Sequence, residues 1–492
     1  MSVAEDASLI ITLNNLHEFL AQRNYHGYVV GGFIRDWLLG RQTNDIDIAV
    51  DGDALSIGNE VARNFGGKFV LLDEANGIAR VVMAEEQHQY LDLSSFSGNI
   101  KLDLARRDFT IDAMAVELGQ IKENAQLQLI DPFHGRKDVE NKIIRVVGEQ
   151  VFTSDAARLL RAVRLAAELD FAIEPNTETL IRRCSQSITG VAGERVREEL
   201  LRLVKRPRAA HYLHYLDKLG LLMALIPELA QSKGVEQPVE HFWDVFEHSL
   251  QTVAAIEFLI HENTWEYGDE EILATAPWSD AIEEHLSQEV SCGSNRKALL
   301  KLGGLFHDIA KPQTKFIDDT GRARFLGHTK EGAEMTASIL ERLRFSHREI
   351  DLVESLVYHH LRPVQMANEG GLPTQRAIYR YFRDTRSAGI DILFLALGDY
   401  LASCGPLIHM ETWVKHCQLI NYILMEQGKQ RSRVTPVKLV DGHALMNSFS
   451  LIPGPLIGEL LTTVHEAQAS GEITTKEEAL VLVQTALGRR IA

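Results

Sequence analysis

The spacing of apolar and polar residues divides the chain into two regions of different secondary structure. Up to about Val147, short apolar runs alternate with amphipathic stretches, which predicts alternating strands and helices. Beyond Val147 the apolar residues recur mainly with the period of a helix. At 492 residues the chain is too long for one hydrophobic core and suits three or four domains. We therefore predict a mixed α and β domain followed by helical domains.

A glycine turn follows an early apolar run. The run Tyr28-Val29-Val30 ends in Gly31 and Gly32, and Arg35 follows three residues later. Glycines let backbone N–H groups come close to a phosphate chain, and the arginine adds a planar, permanently charged fork. The turn therefore predicts a phosphate site.

Two carboxylates follow on the next predicted strand. Asp45 and Asp47 flank one apolar residue, so the alternation of a strand puts both side chains on one face. Asp92, in the segment Tyr90–Leu93, is our candidate for a third carboxylate on a neighbouring strand. Hard oxygen ligands beside a triphosphate favour Mg²⁺, and two such ions about 4 Å apart can hold an attacking hydroxyl and a leaving pyrophosphate. We therefore predict a catalytic Mg²⁺ site.

Arginines cluster behind this site. Arg107 and Asp108 belong to a segment that offers cations for phosphate oxygens and an acid for a ribose hydroxyl. On the next predicted helix, arginines at steps of three share one face, and an Asp and Arg edge can pair with a base. The candidate residues of this helix are Asp155, Arg158, Arg161 and Arg164.

The order of these motifs closely resembles the bacterial class II tRNA nucleotidyltransferases and their poly(A) polymerase relatives. The resemblance covers about the first 200 residues and includes the segment Gly193–Leu200. It implies a polymerase-beta-like α+β head, a helical neck and addition of nucleotides to the 3′ end of tRNA. Two residues depart from the family pattern: Asp112 stands where Asn is usual, and Ser154 stands where an acidic residue often precedes the base-selecting Asp.

The resemblance also implies roles for the candidate residues. Asp45 and Asp47 would hold Mg²⁺, Gly32 and Arg35 the triphosphate, while Arg107 and Asp108 would select ribose. Asp155 and Arg158 would act as a protein template for the incoming C or A, with Arg161 and Arg164 supporting the nucleotide.

Composition and charge restrict the partners. The four cysteines are scattered without a pairing pattern, no apolar run approaches a membrane span, and Met1–Asp6 lacks the basic residues of a secretory signal. We expect a cytoplasmic protein with no membrane partner. The net charge of −17 argues against general nucleic-acid binding, but residues 155–208 carry eleven Lys or Arg and eight Asp or Glu, a local +3. This stretch is the predicted RNA path.

A histidine series in the second region predicts another metal site, because imidazoles and carboxylates bind borderline divalent metals. The series resembles the HD-domain phosphohydrolases. That resemblance implies a core metal set of His248, His307, Asp308 and Asp399. It also implies a second metal held by His328 and one of His359 or His360, and hydrolysis at an RNA end. We take His359, so the predicted ligands are His248, His307, Asp308, His328, His359 and Asp399. They do not identify the metal, which we expect to be a transition divalent ion.

Two further segments carry less information. The acidic stretch from about His261 to Asn295 contains no motif that we can interpret. The segment from Pro436 looks like the C-terminal part of bacterial family members that contributes to holding tRNA, but a plain packing unit of helices would look the same. The predicted domains are a head (1–147), a neck (148–235), an HD domain (236–410) and a tail (411–492).

We predict an enzyme that adds C and A residues to tRNA, using CTP and ATP. Three alternatives stay open: a partial enzyme that adds only A or only CC, a poly(A) polymerase, and an HD phosphohydrolase whose head only binds RNA. The first is supported by the short link of twelve residues between Leu93 and Arg106, since complete CCA-adding members of the family have a longer flexible stretch there. The clustered carboxylates Asp45 and Asp47 oppose the last. The oligomeric state is left open.

Overall fold

The chain divides into two compact units, Met1–Glu199 with Tyr215–Leu225, and Leu200–His214 with Ile226–Ala492. The structure is a computed structural model and describes residues 7–41, 43, 45–74, 76–83, 90–121, 128–367, 371–432, 439–469 and 471–491. Met1–Asp6, assessed above for a signal sequence, and Pro436, the start of the C-terminal segment, lie outside the described residues. The boundaries of the four predicted domains stay a prediction.

A six-stranded sheet forms the centre of the first unit. Its strands are β1 (Gly27–Val30), β2 (Asp45–Val50), β3 (Lys68–Asp73), β4 (Ile78–Val82), β5 (Tyr90–Ser95) and β6 (Ala115–Glu117). They lie in the order β3-β4-β5-β2-β1-β6, with β2 and β5 parallel and the other neighbours antiparallel. The helices of this part are α1 (Ala7–Ala21), α2 (Gly32–Leu38), α3 (Ala54–Phe65), α4 (Ile100–Leu104) and α5 (Gly135–Glu140). The predicted mixed head is confirmed.

The alternation of side chains along β2 and β5 positions the predicted carboxylates. On β2, the fully buried Ile46 and Ile48 alternate with Asp45 and Asp47. On β5, Asp92 stands between two buried leucines. Because successive side chains of a strand point to opposite faces, burying the apolar set on one face directs the carboxylates to the other.

The region behind the head is mostly helical. Its helices are α6 (Val151–Ser154), α7 (Arg158–Leu169), α8 (Pro175–Cys184), α9 (Gly193–Val204), α10 (Ala209–Lys218) and α11 (Leu221–Leu225). One element departs from the all-helical expectation: strand β8 (Ala172–Ile173) pairs in parallel with β7 (Ile143–Ile144). A strand of two residues is too short to show a period in the sequence.

The rest of the second unit is also mainly helical. Its helices are α12 (Val245–Leu259), α13 (Glu270–Thr275), α14 (Asp280–Ser287), α15 (Arg296–Phe306), α16 (Lys311–Thr314), α17 (His328–Arg342), α18 (His347–His359), α19 (Arg362–Gln365), α20 (Gln375–Thr385), α21 (Gly389–Cys404), α22 (Met410–Ser432), α23 (Gly442–Phe449), α24 (Pro455–Ala469) and α25 (Lys476–Ile491). Two hairpins interrupt them, one of β9 (Glu289–Ser291) with β10 (Ser294–Asn295) and one of β11 (Lys315–Ile317) with β12 (Ala323–Phe325). In the core, α12 packs on α15 and α21, and α15 packs on α18.

One helical stretch of the described chain, Gln375–Cys404, is long and apolar enough to cross a membrane. The sequence inspection above had found no such run. Of its most apolar window, 72% is buried inside the protein, as in a core helix. Length and hydropathy alone therefore give only weak evidence for a membrane span here.

Helix α24 is joined to α20 by a cluster of ion pairs. Glu466 accepts hydrogen bonds from Arg376 at 3.1 Å, Arg380 at 2.5 Å and Arg383 at 2.7 Å. The Glu466 side chain is only 5% exposed. Burial alone would raise its pKa, but the hydrogen bonds from the arginines outweigh burial and lower the pKa of Glu466 to about 2.

We expect Glu466→Gln to lower the free energy of unfolding at pH 7 by roughly 1–3 kcal/mol, since the arginines lose a buried charged acceptor. The folded pKa is depressed, so this contribution is present above the ordinary value of 4.5 and is lost as the pH falls towards about 2. Urea unfolding of both proteins between pH 7 and pH 3.5 measures it. The control is Glu472→Gln, since Glu472 is half-exposed and 3.8 Å from Arg376. A difference at Glu466 that does not shrink at low pH contradicts the assignment.

Candidate nucleotidyl transfer site and candidate metal centre

The three predicted carboxylates of the head lie on neighbouring strands. Asp47 on β2 is directly opposite Asp92 on β5 in the parallel register. Arg80 on β4 donates hydrogen bonds of 2.7 and 2.8 Å to Asp92, and its guanidinium lies 3.5 Å from Asp45. No motif marks Arg80 in the sequence, and only the pairing of β4 with β5 reveals it. The arginine bridges two of the carboxylates.

Asp47 has the most perturbed environment of the three. Burial, together with the nearby Asp92, Asp112 and Asp45, raises its pKa to about 6 against the opposing effect of Arg107. A divalent cation relieves this repulsion, and a set of carboxylate oxygens is the type of donor that hard cations prefer. The residues therefore fit a divalent metal. They form a looser set than the groups of the second unit, whose ligand atoms lie within 4.8 Å of one another.

The glycine turn reaches this site directly. Gly31 has a φ of +72°, and a Cβ there would lie 2.8 Å from both an Asp47 oxygen and an Arg107 nitrogen. Any side chain at this position would therefore collide with a carboxylate and a cation of the site. Gly32 begins α2, and a Cβ on it would lie 3.3 Å from the Arg35 guanidinium. The turn thus lies against Asp47 at Gly31 and against Arg35 at Gly32.

Two carboxylates hold the guanidinium of Arg35. It donates two hydrogen bonds to Asp36, at 3.0 and 2.9 Å, and one of 2.7 Å to Asp112. Burial raises the pKa of Asp112, and Arg35 opposes this. The departure from the family's Asn thus gives Arg35 a charged partner. This pairing fixes the direction of the guanidinium and reduces its net charge.

Helix α7 is linked to the head through a chain of ion pairs. Arg161 donates to the buried Asp108 at 3.0 Å and to Glu199 at 3.2 Å. Arg164 is buried and donates to Glu199 and Glu168, both at 2.5 Å. Arg161 and Arg164 therefore hold the helix in place, and their support of the nucleotide stays a prediction. Glu199 belongs to the segment Gly193–Leu200 that carries part of the family resemblance, but its role as their shared acceptor was missed.

The predicted base-selecting residues lie at the start of α7. Asp155 accepts two hydrogen bonds from Arg195, at 3.0 and 2.7 Å, and lies 3.8 Å from Arg158. Burial would raise the pKa of Asp155, but Arg195 outweighs it and lowers the pKa. Arg158 also donates to the Arg106 carbonyl at 3.0 Å and the Ser154 hydroxyl at 3.3 Å. Sequence inspection identified Asp155 and Arg158 but not the pairing with Arg195.

In the second unit, four of the predicted metal ligands converge. His248 Nε2 lies 3.1 Å from His307 Nε2 and 3.0 Å from an Asp399 oxygen. Asp308 lies 3.1 Å from His307 and 3.5 Å from His248. Burial alone would lower the pKa of His307, but Asp308 and Asp399 outweigh it and raise the pKa to about 10. The two carboxylates thus strongly favour a positive charge at this position.

A second group shares Asp308. Its other members are His328 and His360, whose Nε2 atoms lie 3.4 and 3.8 Å from Asp308 Oδ1. His307, His328 and His360 each donate their Nδ1–H to the carbonyl three residues earlier, at 2.8, 2.6 and 2.8 Å. These bonds fix the tautomer and aim every Nε2 at the cluster, as backbone acceptors do for metal-binding histidines.

The structure corrects one predicted ligand. His359 is the last residue of α18, is only partly buried and does not belong to either group, whereas His360 is 1% exposed and does. The sequence contains two adjacent histidines at this point. Because α18 ends at His359, it is the following His360 whose side chain is buried in the cluster. Two other neighbours were missed: Lys311, 2.5 Å from Asp308, and His241, whose ring packs on His248.

Unpartnered atoms show that this cluster fits a metal. Among the described residues, the buried Asp308 Oδ1 and His328 Nε2 have no hydrogen-bond partner. A buried polar atom without a partner is costly, and two such atoms directed at each other across 3.4 Å are what a shared cation would satisfy. His248, His307 and Asp308 would hold one divalent ion, and Asp308, His328 and His360 a second.

Comparison with known families agrees with this division of chemistry. The family model of the poly(A) polymerase head domain matches residues 27–145, and that of a probable RNA-binding and SrmB-binding site of the polymerase matches 170–233. The HD domain model matches 245–401, and a tRNA nucleotidyltransferase domain 2 matches 434–483. The head and the site therefore define a nucleotidyltransferase that carries an HD domain.

Individual relatives are similar over nearly the whole chain. An A-adding tRNA nucleotidyltransferase of Deinococcus radiodurans is 33% identical over 93% of this chain and 94% of its own. A CC-adding enzyme of Thermus thermophilus is 31% identical over 92% of each. The structure of the Thermotoga maritima CCA-adding enzyme with tRNA has the same fold, with a TM-score of 0.62 at 23% identity over 99% of this chain and 97% of that one. The chain belongs to the bacterial class II tRNA nucleotidyltransferases, which extend tRNA 3′ ends without a nucleic-acid template.

Proposed function

We propose that the head transfers C and A residues from CTP and ATP to the 3′ end of tRNA. The observation that carries this proposal is the placement of Asp47 opposite Asp92 and against the Gly31 turn. Asp45, Asp47 and Asp92 would hold Mg²⁺, which, when bound, stabilises charge on the attacking hydroxyl and the leaving pyrophosphate. The structures of relatives with ATP, CTP and tRNA support these partners.

The chain's own residues would bind and orient the nucleotide. Backbone N–H groups at Gly31 and Gly32 can approach the triphosphate because no side chain stands in the way. Arg35, directed by Asp36 and Asp112, would contact phosphate oxygens. Arg107, whose guanidinium lies beside Asp47, would place positive charge close to the α-phosphate. The segment that contains Arg107 and Asp108 would select the ribose. Asp108 would contribute indirectly, by holding this segment in place through its ion pair with Arg161.

Base selection would come from the edge formed by Asp155 and Arg158. A carboxylate accepts from an exocyclic amine and a guanidinium donates to ring acceptors, so together they can pair with C or A. Arg195 supports this role because its two hydrogen bonds fix the plane of the Asp155 carboxylate.

We expect Asp155→Ala to reduce discrimination between the preferred and the wrong NTP by about 10- to 100-fold, because a good bidentate pair gives ~1–3 kcal/mol of discrimination. The rate with the best NTP should fall less. Single-turnover rates with each of the four NTPs measure both quantities. The matched control is Asp170→Ala, an exposed carboxylate beyond the other end of α7. Uniform slowing with unchanged preference would show that Asp155 only supports the fold.

A partial enzyme is the second candidate for the head. The link between β5 and Arg106 is short, and helix α4 occupies half of it, with Asn99 capping the helix. The relatives named above include both A-adding and CC-adding enzymes. CTP and ATP offered singly to tRNA ending before the first C, and to tRNA ending in CC, decide between these candidates. A CCA-adding enzyme extends the first substrate with CTP and the second with ATP, whereas a partial enzyme extends only one of them.

We also propose a hydrolytic site at the HD cluster, acting on phosphomonoesters or cyclic phosphates at an RNA end. The two groups sharing Asp308 support it, because paired metal sites are common in phosphatases. The bound metal would supply an activated water. Nitrogen-rich ligands favour a transition divalent ion such as Ni²⁺, Co²⁺ or Mn²⁺ over Mg²⁺.

The division into a head (1–147), a neck (148–235), an HD domain (236–410) and a tail (411–492) is part of this proposal. The four family matches fall one in each of these ranges, which supports it. We propose a cytoplasmic location, in keeping with free cysteines at all four positions.

A further inference from the structure

A buried ion cluster lies in the second unit, outside the two sites described above. Lys301 on α15 and Glu257 on α12 are both completely buried, and Lys301 Nζ lies 3.2 Å from Glu257 and 2.5 Å from Glu262. Burying charged groups costs free energy unless they are paired and hydrogen-bonded, and an apolar replacement is often at least as stable. Stability alone is therefore a weak reason for this cluster.

The cluster holds the two helix ends on either side of one turn. Lys301 Nζ donates to the carbonyl oxygen of Val204, the last residue of α9, and to that of Arg206, two residues further on, with both distances 3.0 Å. Glu257 accepts from the first two N–H groups of α10, at 2.7 and 3.3 Å. A cation suits the C-terminus of a helix and an anion suits its N-terminus. Each helix end thus receives the charge that it favours.

The turn itself, residues 205–208, is the densest basic segment of the predicted RNA path, and we call it the basic turn. Lys205, Arg206 and Arg208 are all exposed. Arg208 has a φ of +66°, a left-handed backbone conformation that a side chain disfavours. The surrounding structure therefore has to impose the conformation of the basic turn, and the buried cluster is in contact with both of its ends.

We infer that Lys301 and Glu257 are positioning residues for tRNA binding: they hold the basic turn so that its three cations meet phosphates of the tRNA. This inference rests on the proposed action on tRNA. The HD region would thereby serve nucleotide addition as a scaffold, whatever chemistry its histidine cluster performs. Lys301 and Glu257 both lie outside the segment 170–233 that matches the RNA-binding family model. An acidic protein of net charge −17 needs such fixed local cations to attract a polyanion.

The first test neutralises the basic turn with Lys205→Gln, Arg206→Gln and Arg208→Gln. We expect KM for tRNA to rise about tenfold or more, with kcat and KM for CTP nearly unchanged, because phosphate contacts position the RNA and do no chemistry. The slope of log binding constant against log salt should become shallower by roughly 0.7–0.9 for each phosphate that the variant no longer neutralises. The control neutralises three other exposed cations, Arg136, Lys330 and Lys415, and so removes the same charge.

The second test combines the variants in a cycle. Lys301→Met, and separately Glu257→Gln, should raise KM for tRNA in the wild-type background and have little further effect once the basic turn is neutralised. A merely structural role would change kcat, or change KM equally in both backgrounds. An insertion of two glycines after Arg206 keeps every charge but moves Arg208. This insertion should also raise KM for tRNA. If Lys301→Met does not fold, the insertion variant tests whether the position of the basic turn matters for tRNA binding.

Wild-type extension of tRNA is the reference for all of these variants. If the wild type extends no tRNA, the proposed function fails, and with it the basis of this inference. If the wild type extends tRNA but the neutralised basic turn leaves KM for tRNA and the salt slope at their control values, the inference alone is overturned. Additive effects of Lys301→Met and the turn variant, or a normal KM in the insertion variant, would overturn the positioning role.

Discussion

Nucleotide addition by Asp47→Asn is expected to be slower than that of the wild type by roughly 10³-fold or more, since losing a metal ligand removes several kcal/mol of transition-state stabilisation. Asp45→Ala and Asp47→Ala should likewise abolish addition. Asparagine keeps the shape of Asp47 and removes a charge whose burial is costly, as its raised pKa shows. The fold should therefore remain intact or become slightly more stable. Single-turnover extension of tRNA, with circular dichroism for the fold, measures both effects.

Two controls make this result specific. Glu60→Gln removes a half-exposed carboxylate on α3 of the same unit and should leave addition unchanged. Arg80→Gln removes the cation that bridges Asp45 and Asp92 without removing an oxygen ligand. It should change the Mg²⁺ concentration required for half-maximal rate more than the rate at saturation. Near-normal addition by any of these three Asp variants rejects the proposed centre.

The second large effect separates the two candidate sites. His307→Gln combined with Asp308→Asn should eliminate hydrolysis of cyclic phosphates and phosphomonoesters, because both residues belong to the convergent groups. Nucleotide addition should be retained, since the carboxylates of the head lie on β2 and β5, which the double substitution leaves unchanged. Wild-type hydrolysis should be stimulated more by Ni²⁺, Co²⁺ or Mn²⁺ than by Mg²⁺. Hydrolysis assays with each ion, alongside tRNA extension by the same preparation, measure both activities.

His359→Gln is the matched control, because His359 lies next to His360 in the chain and outside the cluster. It should keep hydrolysis, whereas His360→Gln should lose most of it. If the wild type binds no metal at this cluster and hydrolyses neither substrate with any of these ions, the histidines are structural. Loss of tRNA extension in the folded double variant would instead show that the two sites are coupled.

The sequence predicted those parts of the site that depend on local spacing. Asp45, Asp47 and the glycine turn follow from the alternation of one strand and the shape of one turn, and both appear in the structure. Contacts between segments that are distant in the chain could not be predicted from local spacing. Arg80 reaches Asp92 only because β4 pairs with β5, and Asp112 reaches Arg35 across 77 residues.

The second unit shows the same limit. Each histidine of the series could be found, but choosing between His359 and His360 requires knowing where α18 ends and which residue then faces the core. Lys301 and Glu257 lie within strongly apolar helical patterns, and nothing in those patterns indicates that they contact the helix ends on either side of the turn at 205–208. The hairpins of this unit were missed because strands of two or three residues leave no measurable period.

The most direct test of the central claim is the mass of the 3′ end of a tRNA that lacks its C-C-A terminus, after incubation with the wild-type protein, Mg²⁺, CTP and ATP. The protein should add C, C and A in that order and then stop, and the same tRNA with an intact terminus should not be extended. An A tail that keeps growing would identify a poly(A) polymerase. A tRNA of unchanged mass under these conditions would contradict the account.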